Sequence, residues 1–405
     1  MAQENPNLLR DFCWTTKKSL ENQADVSLTL ASYLLLNENG KDSNVVFSPI
    51  SIQVILGMLA GGSSGQTLEQ LLSFLKATSI EEVHYIYSHI VHLVFANGSL
   101  PGGPCLSIAN FVWLEQSLFM KQSFKQVLDT YMACCHQVDF KNKAEEVRNL
   151  VNSWVETQTR SLVKQILPPD SVGSNTRLIL ANAIYFKGAW SSEFDASRTM
   201  HFNFHLLNGY SIQVPFMTRN KKRQLSAFDG FKVLKLPYKQ AGNTSFSMYI
   251  YLPDARDGLP ALVERSGSES GFLNRYIPYQ EINSGMFWIP KFKFEYEIEL
   301  SKALTILGLT LPFKPDLVTG FKEMVHDPTP LYVSKMYHKS FIEVDESGTE
   351  AAAATVAVMG FGCGLTRIEE LRIDFVADHP FLYVIRENNT GIVQFIGQVL
   401  NPSTT

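Results

Sequence analysis

The sequence predicts a mixed α/β (α+β) fold in one large domain over residues 1–405. Helical and strand patterns are interspersed along the chain instead of being segregated into halves. No Pro/Gly/Ser linker, charge block or internal repeat divides it. A composition of 45% hydrophobic and 12% aromatic residues supplies enough apolar surface for a large core.

Amphipathic helices are expected near 25–37, 50–60, 66–76, 122–133 and 143–165, where apolar residues recur at helical spacing. In the last of these, Val147, Leu150, Val151, Trp154 and Val155 share one face. Leu178 to Phe186 is a nearly continuous apolar run, the pattern of a central strand covered on both faces. Ser245 to Leu252 is a second such strand. Phe292, Phe294 and Tyr296 alternate with Lys291, Lys293 and Glu295, so that strand has one wet face. Phe381–Arg386 and Ile392–Val399 read as a hairpin closed by Asn388-Asn389-Thr390-Gly391, residues that tolerate the backbone of tight turns.

A formal net charge of −4 without a basic half argues against nucleic acid and anionic membranes as partners. The tight basic run Lys221-Lys222-Arg223 is expected in a solvated loop. The polar N-terminus, the lack of an apolar run of membrane length and an odd count of five cysteines together suggest an intracellular, cytosolic protein. The sequons at Asn97, Asn243 and Asn388 would then go unused. Gly61-Gly62-Ser63-Ser64-Gly65 matches the string of a hydrolase nucleophile elbow, with Asp378-His379 downstream. However, the glycines follow a helical pattern where the elbow requires a strand, so they read as a helix end. His84, His89 and His92 lack the i, i+4 spacing of a helical zinc site, and Cys134-Cys135 reads as a buried thiol pair. With no phosphate loop or dinucleotide fingerprint, the chain is not expected to be an enzyme or to need a cofactor or metal.

The segment Gly348-Thr349-Glu350-Ala351-Ala352-Ala353-Ala354-Thr355, continuing to Cys363, is the most unusual. Four alanines favour a helix, but Val356 and Val358 favour extended backbone and Gly360, Gly362 and Gly364 destabilise a helix end. Thr349, Ala351, Ala353, Thr355 and Ala357, all of one parity, are small enough to pass beneath a helical layer if the segment became a strand. No charge interrupts it from Ala351 to Thr366.

With its neighbours, Val333-Ser334-Lys335-Met336-Tyr337-His338-Lys339-Ser340-Phe341 leading into Glu343-Val344-Asp345-Glu346-Ser347-Gly348-Thr349-Glu350-Ala351, this segment resembles the serpin signature. Asn44 to Ile52, Asn182 to Trp190 and Asp374 to Phe381 match further serpin motifs in the right order, most like plant serpins. The resemblance implies a serpin fold: a large central sheet plus smaller sheets, about nine helices, and an exposed reactive-centre loop at approximately 346–372. It also implies a monomer that inhibits a protease as a suicide substrate, the cleaved loop joining the sheet by strand addition. Carried over by motif, Ser48, Ser51, Asn182 and His338 match the polar cluster beneath the sheet that gates its opening. Trp190 marks where insertion begins, and Lys291 and Glu346 pair at the top of the sheet. Inhibition is favoured because the hinge after Glu350 holds neither proline nor bulky residues. A non-inhibitory binding or storage protein is the alternative.

The family's usual spacing from the hinge glycine puts the reactive bond between Gly362 and Cys363. Glycine before the cut offers a trypsin-like enzyme no cation and a chymotrypsin-like enzyme no ring. Papain-like cysteine proteases read mainly the second residue before the cut, here Phe361, and are the expected target. A chymotrypsin-like serine protease cutting one bond earlier, between Phe361 and Gly362, is the alternative.

Overall fold

The computed structural model describes residues 15–37, 40–92, 104–158, 165–240, 244–283, 285–315, 320–326, 330–349 and 372–404. Among them nine α-helices run as α1 (Thr15–Leu36), α2 (Pro49–Gly61), α3 (Gly65–Phe74), α4 (Ile80–Ile90), α5 (Gln122–Thr130), α6 (Phe140–Gln158), α7 (Leu259–Ser268), α8 (Phe272–Arg275) and α9 (Ser301–Ile306). The strands are β1 (Val45–Phe47), β2 (Cys105–Glu115), β3 (Cys134–Val138), β4 (Leu178–Ala189), β5 (Met200–His205), β6 (Ser211–Met217), β7 (Arg223–Phe228), β8 (Phe231–Pro237) and β9 (Phe246–Pro253). They continue with β10 (Glu281–Ile282), β11 (Phe287–Pro290), β12 (Phe292–Glu299), β13 (Lys335–Val344), β14 (Gly348–Thr349), β15 (Phe375–Val376), β16 (Phe381–Glu387) and β17 (Val393–Val399).

Three sheets result. The first is six-stranded in the order β12-β13-β14-β4-β2-β3, the second seven-stranded as β1-β17-β16-β9-β8-β7-β10, and the third four-stranded as β15-β11-β6-β5. In β4, Leu178, Leu180, Ile184 and Phe186 join the main core. Ile179 and Ala181 on its other face join a second cluster with Trp113, Phe140, Val147, Val151 and Val155. A strand covered on both faces has no reason to alternate, which is why it reads as a continuous apolar run. Because α6 supplies that second cover, its apolar stripe points at the sheet, although Leu150 lies outside the stripe at 52% exposure.

Ser48 starts α2 from extended backbone, its hydroxyl accepting the Ser51 N–H, and Pro49 fills the first turn. Pro49 to Ala60 are all buried, so α2 is a core helix, apolar all round. The C-terminal hairpin pairs β16 with β17 and turns through Gly391 at φ +76°.

Several helix limits differ from expectation. α1 already runs from Thr15, ten residues ahead of the expected helix, and its first half turns the polar side chains of Ser19, Gln23 and Ser27 into the core. Gln23 Nε2 donates to Ser27 Oγ at 3.0 Å, and Gln23 Oε1 accepts from the Val393 N–H at 3.3 Å. α3 and α5 stop at Phe74 and Thr130, where Lys76 (φ +53°) and Met132 (φ +51°) leave the right-handed helix. In place of a helix over 143–165, α6 starts at Phe140, bends at Lys143 and extends to Gln158, and Gln165 is not helical.

Candidate functional site

β13 and β4 are direct parallel neighbours from Lys335 opposite Ile179 to Phe341 opposite Tyr185. Above that point they part, and β14 enters antiparallel to both, with Thr349 opposite Val344 on one side and Gly188 on the other. A hairpin turn delivers β14 there. The Asp345 carboxylate accepts from the Ser347 N–H (2.8 Å) and the Gly348 N–H (3.1 Å), while the Asp345 N–H donates to the Gly348 carbonyl (2.9 Å). Burial pushes the Asp345 carboxyl above its ordinary range against those two donors. Position 348 must be glycine, since a Cβ would stand 2.1 Å from the Gly188 carbonyl oxygen.

Trp190 clamps this turn from below. Its backbone N–H donates to the Ser347 carbonyl and its Nε1 to the Asp345 carbonyl, both at 2.9 Å. The indole stacks on Tyr238 with centroids 4.6 Å apart and an interplanar angle of 13°. Tyr238 Oη in turn lies 2.8 Å from Thr349 Oγ1, which fixes the Thr349 side chain on the core face. At the rim, Lys291 Nζ is 2.7 Å from Glu346 Oε2, and Thr199 Oγ1 donates to Glu346 Oε1 at 2.6 Å. Burial pushes the Glu346 carboxyl up, but the hydrogen bonds from Lys291 and Thr199 outweigh it and hold the group below its ordinary range.

The polar cluster lies lower, under the directly paired part of the sheet. His338 Nε2 accepts from the Ser48 N–H at 3.0 Å and lies 2.8 Å from Ser340 Oγ. The proton therefore sits on Nδ1, which donates to Asn182 Oδ1 at 2.8 Å, and Asn182 Nδ2 donates to Asn110 Oδ1 at 2.7 Å. The ring bridges β13, β4 and the start of α2. Ser51 contributes its backbone N–H to Ser48 Oγ (3.4 Å), while its hydroxyl has no hydrogen-bond partner among the described residues.

Burial pushes the His338 imidazole down to about 3. Its folded pKa lies below its ordinary value of about 6.5, so the neutral ring's contribution is complete above pH 6.5 and is lost as pH falls from 6.5 toward 3. Each pH unit in that window costs about 1.4 kcal/mol relative to any state that wets the ring. Protonated Nε2 would also face the Ser48 N–H donor. The expected result is a melting temperature that falls below pH 6.5 more steeply in the native protein than in His338→Gln. Equal slopes would remove His338 as the titrating group.

Among the sequence-predicted residues, the structure brings together Ser48, Ser51, Asn182 and His338 in one place and Trp190, Lys291, Glu346, Gly348 and Thr349 in another. Glu350, Ala351, Ala352, Ala353, Ala354, Thr355, Phe361, Gly362 and Cys363 lie outside the described residues. Sequence reading missed Asn110, Thr199, Tyr238 and Ser340. Only Ser340 had a legible signal, being two residues from His338 and therefore on the same strand face.

The other chemical motifs go elsewhere. Ser63 is buried and its hydroxyl donates to the Leu59 carbonyl (2.6 Å) past the end of α2, while His379 lies 2.8 Å from both Asp378 Oδ1 and the Pro253 carbonyl oxygen. His84 Nδ1 lies 3.0 Å from Tyr131 Oη, and the ring nitrogens of His89 and His92 sit by the Tyr85 and Ser88 carbonyls of their own helical stretch. Cys134 and Cys135 are not a buried pair: β3 is an edge strand, so Cys134 is exposed and Cys135 half-buried, burial pushing the latter thiol up to about 12. Arg223 is likewise no loop residue, since it is buried at the start of β7. Among the described residues no helix is long and apolar enough to cross a membrane.

Comparison with known proteins matches this architecture. The model of the family Serpin (serine protease inhibitor) matches residues 21–402. Serpin-ZX of Arabidopsis thaliana is 49% identical over 391 residues, covering 95% of this chain and 99% of its own, and Serpin-ZXA of Oryza sativa subsp. japonica is 47% identical, covering 95% and 97%. The solved structure of Arabidopsis AtSerpin1 in its native stressed conformation superposes with a TM-score of 0.87 at 48% identity, covering 96% of this chain and 99% of that one. The chain belongs to the serpin family.

Proposed function

We propose that this protein is a single-domain, cytosolic suicide-substrate inhibitor whose loop is cut by a papain-like cysteine protease at Gly362–Cys363. Serpins generally act on target proteases through a reactive loop and are not catalytic enzymes. The observation that carries the reading is the strand register around β14. Thr349 faces Val344 and Gly188, and continuing one residue per step puts residue 358 opposite Lys335 on one side and Ile179 on the other. Lys335 and Ile179 are themselves partners, the lowest pair of the direct β13–β4 ladder. A slot for residues 350–358 therefore has matching registers on both walls.

Residue types suit that slot. Alternation from Thr349 sends Ala351, Ala353, Thr355 and Ala357 to the core face, where Thr355 would land between His338 and Asn182. Insertion there would break the His338–Asn182 bond, and a Thr355 hydroxyl in this register would take up the freed groups. On this reading Ser48, Ser51, Asn182 and His338 hold the slot shut, and Trp190, Lys291 and Glu346 hold its entrance.

Mixing the protein with a slight excess of papain for minutes and resolving it on a denaturing gel with intact mass tests this. The expected product is an SDS-stable band near the summed masses, with a released peptide beginning at Cys363. A peptide beginning at Gly362 with a chymotrypsin-like enzyme would move the reactive bond to Phe361–Gly362. Clean cleavage by both without an adduct would overturn inhibition and leave a binding or storage role.

A further inference from the structure

The basic run expected in a loop borders a cavity of about 340 Å³ between the end of β6, the start of β7 and the approach to β11. That volume falls in the range of about 300–1,000 Å³ typical of small-ligand sites. Arg219, Lys221, Arg223, Phe287 and Arg372 line it. Arg219 and Arg223 are 7% and 5% exposed. Each guanidinium lies over a ring, Arg219 at 4.7 Å from the Phe194 centroid and Arg223 at 3.6 Å from that of Phe287, and the two rings stack at 6.0 Å.

This is an expensive arrangement of charge. Arg219 donates to the Ser192 carbonyl and Arg223 to the Arg219 carbonyl, yet the buried Nε of Arg219 has no partner among the described residues. Burial pushes both guanidinium groups down to about 10, and among the described residues no carboxylate offsets it for Arg219. The carboxylate of Asp374, two residues from Arg372, is turned to the Met286 N–H at 2.7 Å. Two desolvated guanidinium forks beside two exposed cations are matched by a multivalent oxyanion, whose oxygens accept several charge-assisted bonds at once.

We propose that this cavity binds a small compound bearing a mono- or oligophosphate group, with Arg219 and Arg223 at its base and Lys221 and Arg372 at its rim. The site shares a wall with the entrance of the proposed slot, because Phe194 under Arg219 also donates its backbone N–H to the Glu346 carbonyl at 2.8 Å. An occupied site holds residues 192–194 against the entrance and slows its opening. Binding is independent of which protease the loop serves, so failure of one reading leaves the other standing.

Inorganic pyrophosphate is the probe, titrated by calorimetry into the full chain at constant ionic strength set with chloride. The expected result is one saturable site per chain and a melting temperature that rises with the same midpoint. Affinity should fall at least about tenfold in Lys221→Ala/Arg372→Ala, whose exposed positions spare the fold, and be lost in Arg219→Gln. Lys141→Ala/Lys143→Ala, exposed elsewhere, should bind as the native chain does. Absence of saturable binding, equal affinity in Lys221→Ala/Arg372→Ala, or the same stabilisation from chloride alone would overturn the proposal.

Discussion

Ala353→Arg is expected to abolish the SDS-stable protease complex and leave a cleaved substrate, whereas Ala352→Arg, one residue earlier, keeps most of it. Thr349 is fixed on the core face by its contact with Tyr238, and side chains alternate along a strand. Residue 353 would then lie on the same face as Ile342 and Val344, which are 2% and 1% exposed. An arginine there carries a charge into the core with no counter-charge, at a cost of several kcal/mol. At about 1.4 kcal/mol per factor of ten, that slows insertion at least 100-fold and lets hydrolysis release the protease first. Residue 352 would, on insertion, come opposite Phe341 on the other face, which is half-buried and already carries the Lys293 ammonium 5.6 Å from its ring, so a second cation is tolerated. The ratio of complex to cleaved product on a denaturing gel reads the difference. Equal yields from the two variants would show that the hinge does not enter in this register.

Much of the scaffold was legible because its elements report their surroundings locally. β12 alternates buried Phe292, Phe294 and Tyr296 with exposed Lys293 and Glu295, so one window of sequence contains the whole signal. The first half of α1 does not, since Ser19, Gln23 and Ser27 are buried polar groups satisfied by each other and by distant partners. The site divides in the same way. Its motif residues were identifiable, but the groups that complete it sit 72, 111 and 147 positions from the partner they hold: Asn110 to Asn182, Tyr238 to Thr349 and Thr199 to Glu346. No periodicity encodes such pairs. Arg223 misled for a related reason, because a cation over the Phe287 ring can be buried in a strand, while in sequence it looks like one more member of a basic loop.

Cutting the loop should raise the melting temperature by on the order of 10 °C or more, against the usual loss of stability on nicking a chain. In the described structure β13 and β4 meet as a parallel pair over seven positions. Inserting residues 350–358 replaces that one ladder by two antiparallel ones, which are also slightly stronger per residue. The net gain is on the order of ten backbone hydrogen bonds, each contributing about 1 kcal/mol. Such a gain is comparable with the whole stability of an ordinary domain, about 5–15 kcal/mol, so on the proposed mechanism the uncut form would lie above the cut one and persist because a barrier holds it. On the proposed mechanism the barrier would come from the contacts that must let go: the His338–Asn182 bond across the slot and the Lys291–Glu346 pair at its entrance. Scanning calorimetry before and after limited cleavage near the reactive bond measures the gap directly. An unchanged or lower melting temperature would mean that the cut loop stays outside the sheet, and with it the suicide mechanism would fall, because no released energy would remain to distort a bound protease.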